Sequence, residues 1–218
     1  MGKPLLYIHA GINKTGTTSI QSFLSRNYSN LLTHSILYPQ TGRDELMQHH
    51  YFFSSLRIPE HPYFKPKKNF YEYVSELQNE IEKHNPEKVI LSSEIFCDLS
   101  HQDSSILKPK LNLLFSLFSG AKVLFYIRRP DKYGISNNNT MIWYGRRKKH
   151  QLIFPDLLTW ERFLSKEQLI FRPFEKGQFV GETIFSDFLS TIGINQRESF
   201  VYPPKELNES IDDDLLEL

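Results

Sequence analysis

Cysteine occurs once, at Cys97, so no internal disulfide can form, and the Cys and His residues show none of the clustered spacings of a structural zinc site. That usage fits a reducing compartment, and the expectation is an intracellular, cytoplasmic protein. Long apolar runs are missing as well. Nothing approaches the roughly 18 consecutive apolar residues of a membrane span, and no basic-then-apolar leader precedes the first apolar run. A charge excess is also absent: 26 Lys and Arg stand against 25 Asp and Glu, for a formal net charge of +1. That balance gives no ground for a nucleic-acid-binding surface, so any electrostatic site has to be local. What is there is enough apolar material, 39% of 218 residues, to bury a proper core in one compact domain, residues 1–218.

The densest signal lies near the start. Leu5 to Ala10 reads as a buried strand, and Thr15 to Arg26 as an amphipathic helix with Ile20, Phe23 and Leu24 on one face. Between them runs Gly11-Ile-Asn-Lys14-Thr15-Gly16-Thr17-Thr18-Ser19. A strand feeding a glycine turn that opens a helix aims backbone N–H groups and the positive helix end at one spot, which suits a phosphate. In ATP and GTP loops of the form G-x-x-x-x-G-K-S/T, the lysine directly follows the second glycine and reaches the terminal phosphates. Here Thr17 holds that position and Lys14 comes two residues before Gly16, inside the turn. The ammonium should meet a different part of the ligand, so the loop reads as phosphate-binding but not as one built for a nucleoside triphosphate.

Further along, Phe70 to His84 carries Tyr73, Val74, Leu77 and Ile81 at helical spacing, and Asn85-Pro86 ends it before a short strand, Lys88 to Ser92. Ile106 to Phe118 reads as a helix closed by Gly120, and Lys122 to Ile127 (KVLFYI) as the most strand-like segment, followed by Arg128-Arg129-Pro130 and another helix. Proline suits a first helical turn. A short helix near Trp160 to Leu164, a strand Gln168 to Arg172 and a helix Glu182 to Ile192 complete the pattern. Asn30 to Met47 gives mixed signals, and residues 57 to 68 (RIPEHPYFKPKK), with three prolines, read as a loop. Apolar strands alternating with helices predict an α/β fold, a three-layer α/β/α domain around a mostly parallel sheet with ligands beyond the strands' carboxyl ends.

A second anion anchor is then expected from another strand end. Arg128 ends the most apolar strand and Ser136 follows eight residues later, so a forked guanidinium and a hydroxyl can converge there. Adjacent Arg129 is expected to face solvent or pair with an acidic neighbour. Together, Lys14-Thr-Gly-Thr-Thr-Ser19 and the Arg128 to Ser136 spacing resemble the sulfotransferases that use 3′-phosphoadenosine 5′-phosphosulfate, PAPS. Trp160-Glu-Arg-Phe163, Arg172-Pro-Phe-Glu175 and the helix with Asp187-Phe-Leu189 are similar to bacterial, carbohydrate-type members.

The resemblance implies a P-loop NTPase-like fold, with Lys14, Thr15, Gly16, Thr17, Thr18 and Ser19 at the 5′-phosphosulfate and Arg128 and Ser136 at the 3′-phosphate. It implies PAPS as co-substrate, no metal, a hydroxyl or amine on a carbohydrate-like or other small acceptor, and a general base. Glu94, behind the strand ending Ser92-Ser93, matches the post-strand glutamate of members acting on heparan-type sugars. Cytosolic small-molecule members use a histidine, so His9, His49, His50 and His101 stand in reserve. The family's Arg-Lys-Gly nucleotide segment has only Lys176-Gly177 as a counterpart. Two other readings stay open, a P-loop small-molecule kinase and a catalytically inactive nucleotide-binding module. Arg172 either reaches the nucleotide or pins the last strand. The basic residues 145 to 150 (GRRKKH) read as a solvated helix end, the acidic residues 212 to 218 as a frayed tail or the start of a helix, and segments 43 to 70 and 140 to 158 as the acceptor's lining.

Overall fold

The structure, a computed structural model, describes residues 2–59, 61–143, 157–195 and 199–203, and side chains of 137–143 and 157–158 are excepted. The basic stretch 145 to 150 and the acidic ending 212 to 218 lie outside the described residues, as do 144–156 of the expected acceptor lining. In chain order the elements are β1 (Leu5–His9), α1 (Thr17–Arg26), α2 (Tyr28–Thr33), β2 (Ile36–Leu37), α3 (His50–Ser54), α4 (Phe70–His84) and β3 (Lys88–Ser92). They continue with α5 (Ile95–Asp98), α6 (Ser104–Ser116), β4 (Gly120–Ile127), α7 (Pro130–Trp143), β5 (Leu169–Pro173) and α8 (Ile184–Thr191).

The five strands form one sheet in the order β2-β3-β1-β4-β5, and every pairing is parallel. Alternation along each strand sorts the core into two layers. Leu6, Ile8, Val89, Leu91, Val123 and Phe125 pack on one side with residues of α3, α4 and α6 such as Phe53, Leu77 and Leu111. Tyr7, Ile90, Leu124 and Tyr126 pack on the other with Phe23 and Leu24 of α1, Leu31 of α2 and Phe188 of α8. Burial on both sides explains why these strands read as unbroken apolar runs. The sheet is fully parallel where a mostly parallel one was expected. Among the described residues, no helix is long and apolar enough to cross a membrane.

Boundaries moved for local reasons. Gly120, expected to close a helix, opens β4 opposite Leu5, and the preceding helix starts at Ser104 because Asp103 caps it by accepting from the Ser105 amide at 2.8 Å. Trp160 sits in a 3₁₀ turn, Leu157–Arg162, not an α-helix, stacked on Phe96 with ring centroids 4.2 Å apart. The chain leaves β1 towards β2 and β3 on one side, then crosses to β4 and β5 on the other. The crevice at the carboxyl ends of β1 and β4 is therefore the topological switch point.

Candidate active site

The turn between β1 and α1 is built from left-handed residues: Gly11 (φ 54°), Lys14 (φ 71°) and Gly16 (φ 73°). Gly16 has no room for a side chain. A Cβ there would lie 2.8 Å from Ile184 Cδ1 and 3.0 Å from Phe174 Cε2, in addition to the cost of positive φ. Gly16 also caps α1 without a side chain, so the amides of its first turn are left to an acceptor from outside. Thr15 is spent on the turn itself: its hydroxyl donates to the Ile12 carbonyl at 2.6 Å and accepts from the Ile12 amide at 3.3 Å. Only its amide remains to meet a ligand. Thr18 is exposed, while Thr17 and Ser19 are buried.

Lys14 and Arg128, far apart in sequence, meet here. Arg128 Nη1 donates to the Lys14 carbonyl at 3.1 Å, and its guanidinium lies over the Phe174 ring, 5.5 Å from the centroid. One of five N–H donors is thus used to hold the turn. Burial depresses the Lys14 pKa and the Arg128 charge depresses it further, while Glu94 pulls it back up. The Arg128 charge therefore acts on the Lys14 ammonium at this turn, and the local potential is positive. Ser136 stands half-buried two turns into α7, the helix that Arg128 leads into. Arg129 turns outward and forks onto Asp131 at 3.2 and 2.9 Å, as its position beside Arg128 predicted.

Glu94 follows β3, on the opposite flank of β1 from Arg128. It is the N-cap residue of α5, yet its carboxylate makes no cap hydrogen bond. The carboxylate instead accepts from Gln21 Nε2 at 3.4 Å and lies 3.5 Å from His50 Nε2. Thr17 Oγ1, buried with no hydrogen-bond partner, lies near it and lowers its pKa. Burial outweighs these contacts and raises the Glu94 pKa above the usual carboxylate range.

The reserve histidines separate by environment. His9 is a core residue, with Nδ1 2.8 Å from Ser92 Oγ, its ring against Tyr126 and Phe188, and a pKa lowered by burial to about 3. His49 has both nitrogens occupied: Nδ1 accepts from the Ser92 amide at 3.1 Å and Nε2 donates to the Pro39 carbonyl at 3.0 Å. It staples the segment before α3 to the end of β3. His101 is exposed in the 3₁₀ turn after α5. His50 alone faces Glu94, and its Nδ1 lies 3.5 Å from Asp44 Oδ2, a carboxylate that no sequence signal singled out.

Arg172 resolves to the structural alternative. It forks onto Asp187, with Nε 3.1 Å from Oδ2, and Asp187 is fully buried, where it also accepts from Tyr126 OH at 2.8 Å and the Val180 amide at 2.9 Å. That cluster ties β5 and β4 to α8. Lys176-Gly177 lies in a 3₁₀ turn, Lys176–Gln178. Among the described residues, no three His, Cys, Asp or Glu side chains gather as a metal site.

A parallel sheet in this strand order, with a glycine turn after its central strand, defines a P-loop-like α/β fold. Among solved structures, the chain is similar to the crystal structure of a sulfotransferase from Alicyclobacillus acidocaldarius, with a TM-score of 0.55 and 16% identity, over 100% of this chain and 90% of that one. At that identity the likeness is one of fold. No family model matches the chain, and no curated protein does.

Proposed function

We propose that this chain is a sulfotransferase that moves a sulfuryl group from PAPS to a hydroxyl, or an amine, of a carbohydrate-like or other small acceptor. What supports it most is that Arg128 bonds the Lys14 carbonyl at 3.1 Å while its charge acts on the Lys14 ammonium, so that two cations from neighbouring strand ends serve one turn. A donor carrying phosphate at both ends of its ribose needs such a pair, and the sulfotransferase fold of the structural neighbour agrees. In this reading the amides of residues 14 to 19 and the Lys14 ammonium hold the 5′-phosphosulfate, while the free donors of Arg128, with Ser136, hold the 3′-phosphate.

The chemistry is an in-line displacement. The acceptor oxygen bonds to sulfur as the bond from sulfur to the bridging oxygen breaks, and that electron pair stays on the 5′-phosphate of the departing adenosine 3′,5′-bisphosphate. Lys14 neutralises the growing charge. Removing such a preorganised donor costs about a hundredfold to a thousandfold in rate. Glu94 takes the acceptor's proton, and its raised pKa makes it a stronger base than an exposed carboxylate. The scheme itself requires no metal, and the single buried thiol at Cys97 suits a cytoplasmic setting.

One observation favours a second reading. A carboxylate ending the strand beside β1 is also where a P-loop kinase holds magnesium. Against it, Thr17 occupies the position of the kinase lysine. Thermal melts separate the two, because a ligand bound only by the native state stabilises it, by about 2.7 kcal/mol at a hundred times its Kd. Adenosine 3′,5′-bisphosphate is expected to raise Tm, AMP and ATP with magnesium to leave it unchanged, and Arg128→Ala to lose most of the rise. A larger rise with ATP and magnesium would make the protein a kinase.

A further inference from the structure

Glu94 is one end of a row of three side chains. Its Oε2 faces His50 Nε2 at 3.5 Å, and His50 Nδ1 faces Asp44 Oδ2 at 3.5 Å, with side chains 17%, 6% and 3% exposed in that order. The row is assembled by its surroundings. His49 fastens this segment to β3 through the Ser92 amide, so α3 begins beside the turn that carries Glu94. Asp44 Oδ1 is occupied by the amides of Leu46 and Gln48, both at 2.9 Å, which leaves Oδ2 for the ring. Phe64 covers that ring, with centroids 4.3 Å apart. His50 Nδ1 is buried with no hydrogen-bond partner although it is aimed at a carboxylate. A closure of a few tenths of an ångström would make that bond, as sites without substrate often do on binding.

We propose that His50 is a positioning residue for Glu94: its neutral ring carries a proton on Nδ1 towards Asp44 and offers Nε2 to the proton that Glu94 takes from the acceptor. The proposal rests on Glu94 being the base of the sulfuryl transfer described above. After each transfer the Glu94 acid gives its proton to Nε2; its O–H bond breaks and leaves the pair on Oε2, and an N–H bond forms. The imidazolium then lies against the Asp44 carboxylate, and the proton passes to water when the product leaves. This gives Glu94 a second route, besides water, for losing its proton between turnovers.

Burial raises Glu94 and lowers His50 to about 4, which keeps the ring neutral at rest and lets it hold the proton only in transit. The other groups facing Glu94 are Lys14, Tyr38, Cys97, Gln21 and Thr17. Those facing His50 are Asp44, His49 and His61, and the last lowers it further. A histidine kept only for packing would not need a carboxylate at each nitrogen.

Nitrogen-15 NMR of the labelled full chain reads the tautomer directly. The expected result is Nδ1–H with a bare Nε2, altered by Asp44→Asn, and a His50 signal that titrates together with the Glu94 carboxyl carbon. An Nε2–H tautomer, or independent titrations, would overturn the proposal. The second measurement is PAPS cleavage with water as acceptor, followed as release of adenosine 3′,5′-bisphosphate. His50→Ala is expected to be slower by about a hundredfold, to keep the bisphosphate-induced rise in Tm, and to regain rate when imidazole is added. Full rate in His50→Ala, or a loss that imidazole leaves untouched, would also overturn it. Absence of any bisphosphate effect on the wild type would instead remove the sulfotransferase reading, and the tautomer would still judge the row of three.

Discussion

Glu94 is held in a state that stability alone would not choose. Its pKa is raised in the folded chain, so the native state binds more protons than the unfolded one between the ordinary carboxylate value and the raised one. The stability it contributes is present below the ordinary value and is lost as pH rises through the raised one. Glu94→Gln is therefore expected to keep or raise Tm at pH 7, to flatten that decline, and to abolish PAPS turnover while bisphosphate still binds. Melting curves and bisphosphate release check both, and a lower Tm with full turnover would contradict the assignment. Lys14, Gly16, Arg128 and Glu94 were legible in the sequence because each follows an apolar strand at a short, readable distance. Asp44 and the role of His50 were not. They reach Glu94 across more than 40 residues, through a segment whose prolines and aromatics follow no period. Of residues 43 to 70, expected to line the acceptor pocket, His50 faces Glu94, while Asp44 and Phe64 lie against His50.

The elements that could be read were those long enough to show a period. α4 spans 15 residues, has four buried positions on one face, and begins with a full capping box between Asn69 and Glu72. β2, with two residues, and α3, with five, are too short for any pattern to rise above composition, and their neighbours fix them. The turn before α1 lies between these extremes: its glycines were legible, but not the left-handed state of Lys14 or the staple formed by Thr15. Gly16→Ala tests that turn. Positive φ costs about 1–2 kcal/mol for a residue with a Cβ, and Phe174 and Ile184 must also give way. Tm is expected to fall by at least about 2–4 °C, with bisphosphate binding weakened in the same variant. An unchanged melt would mean that the turn does not need its present shape.

For the molecule as a whole, three buried histidines set the response to acid. Burial lowers His9 and His49 to about 3 and His50 to about 4. Each is neutral when folded, while the unfolded chain takes up protons near pH 6.5, so the stability they contribute is present above that value and lost as pH falls towards 3. Urea midpoints are expected to drop steeply over this window, and less steeply in His9→Gln; identical curves would show that His9 is not held neutral. The alternation of strands and helices announced a parallel sheet, but strand order was not legible, because crossovers decide it and they leave no mark on composition. Gly16, near the start of the chain, packs against Phe174 and Ile184, from beyond the last strand. A polypeptide emerging from the ribosome would thus carry its first strand and helix long before the ring and methyl group that brace the turn between them have been made. That turn takes its final shape only once residues from beyond β5 have arrived.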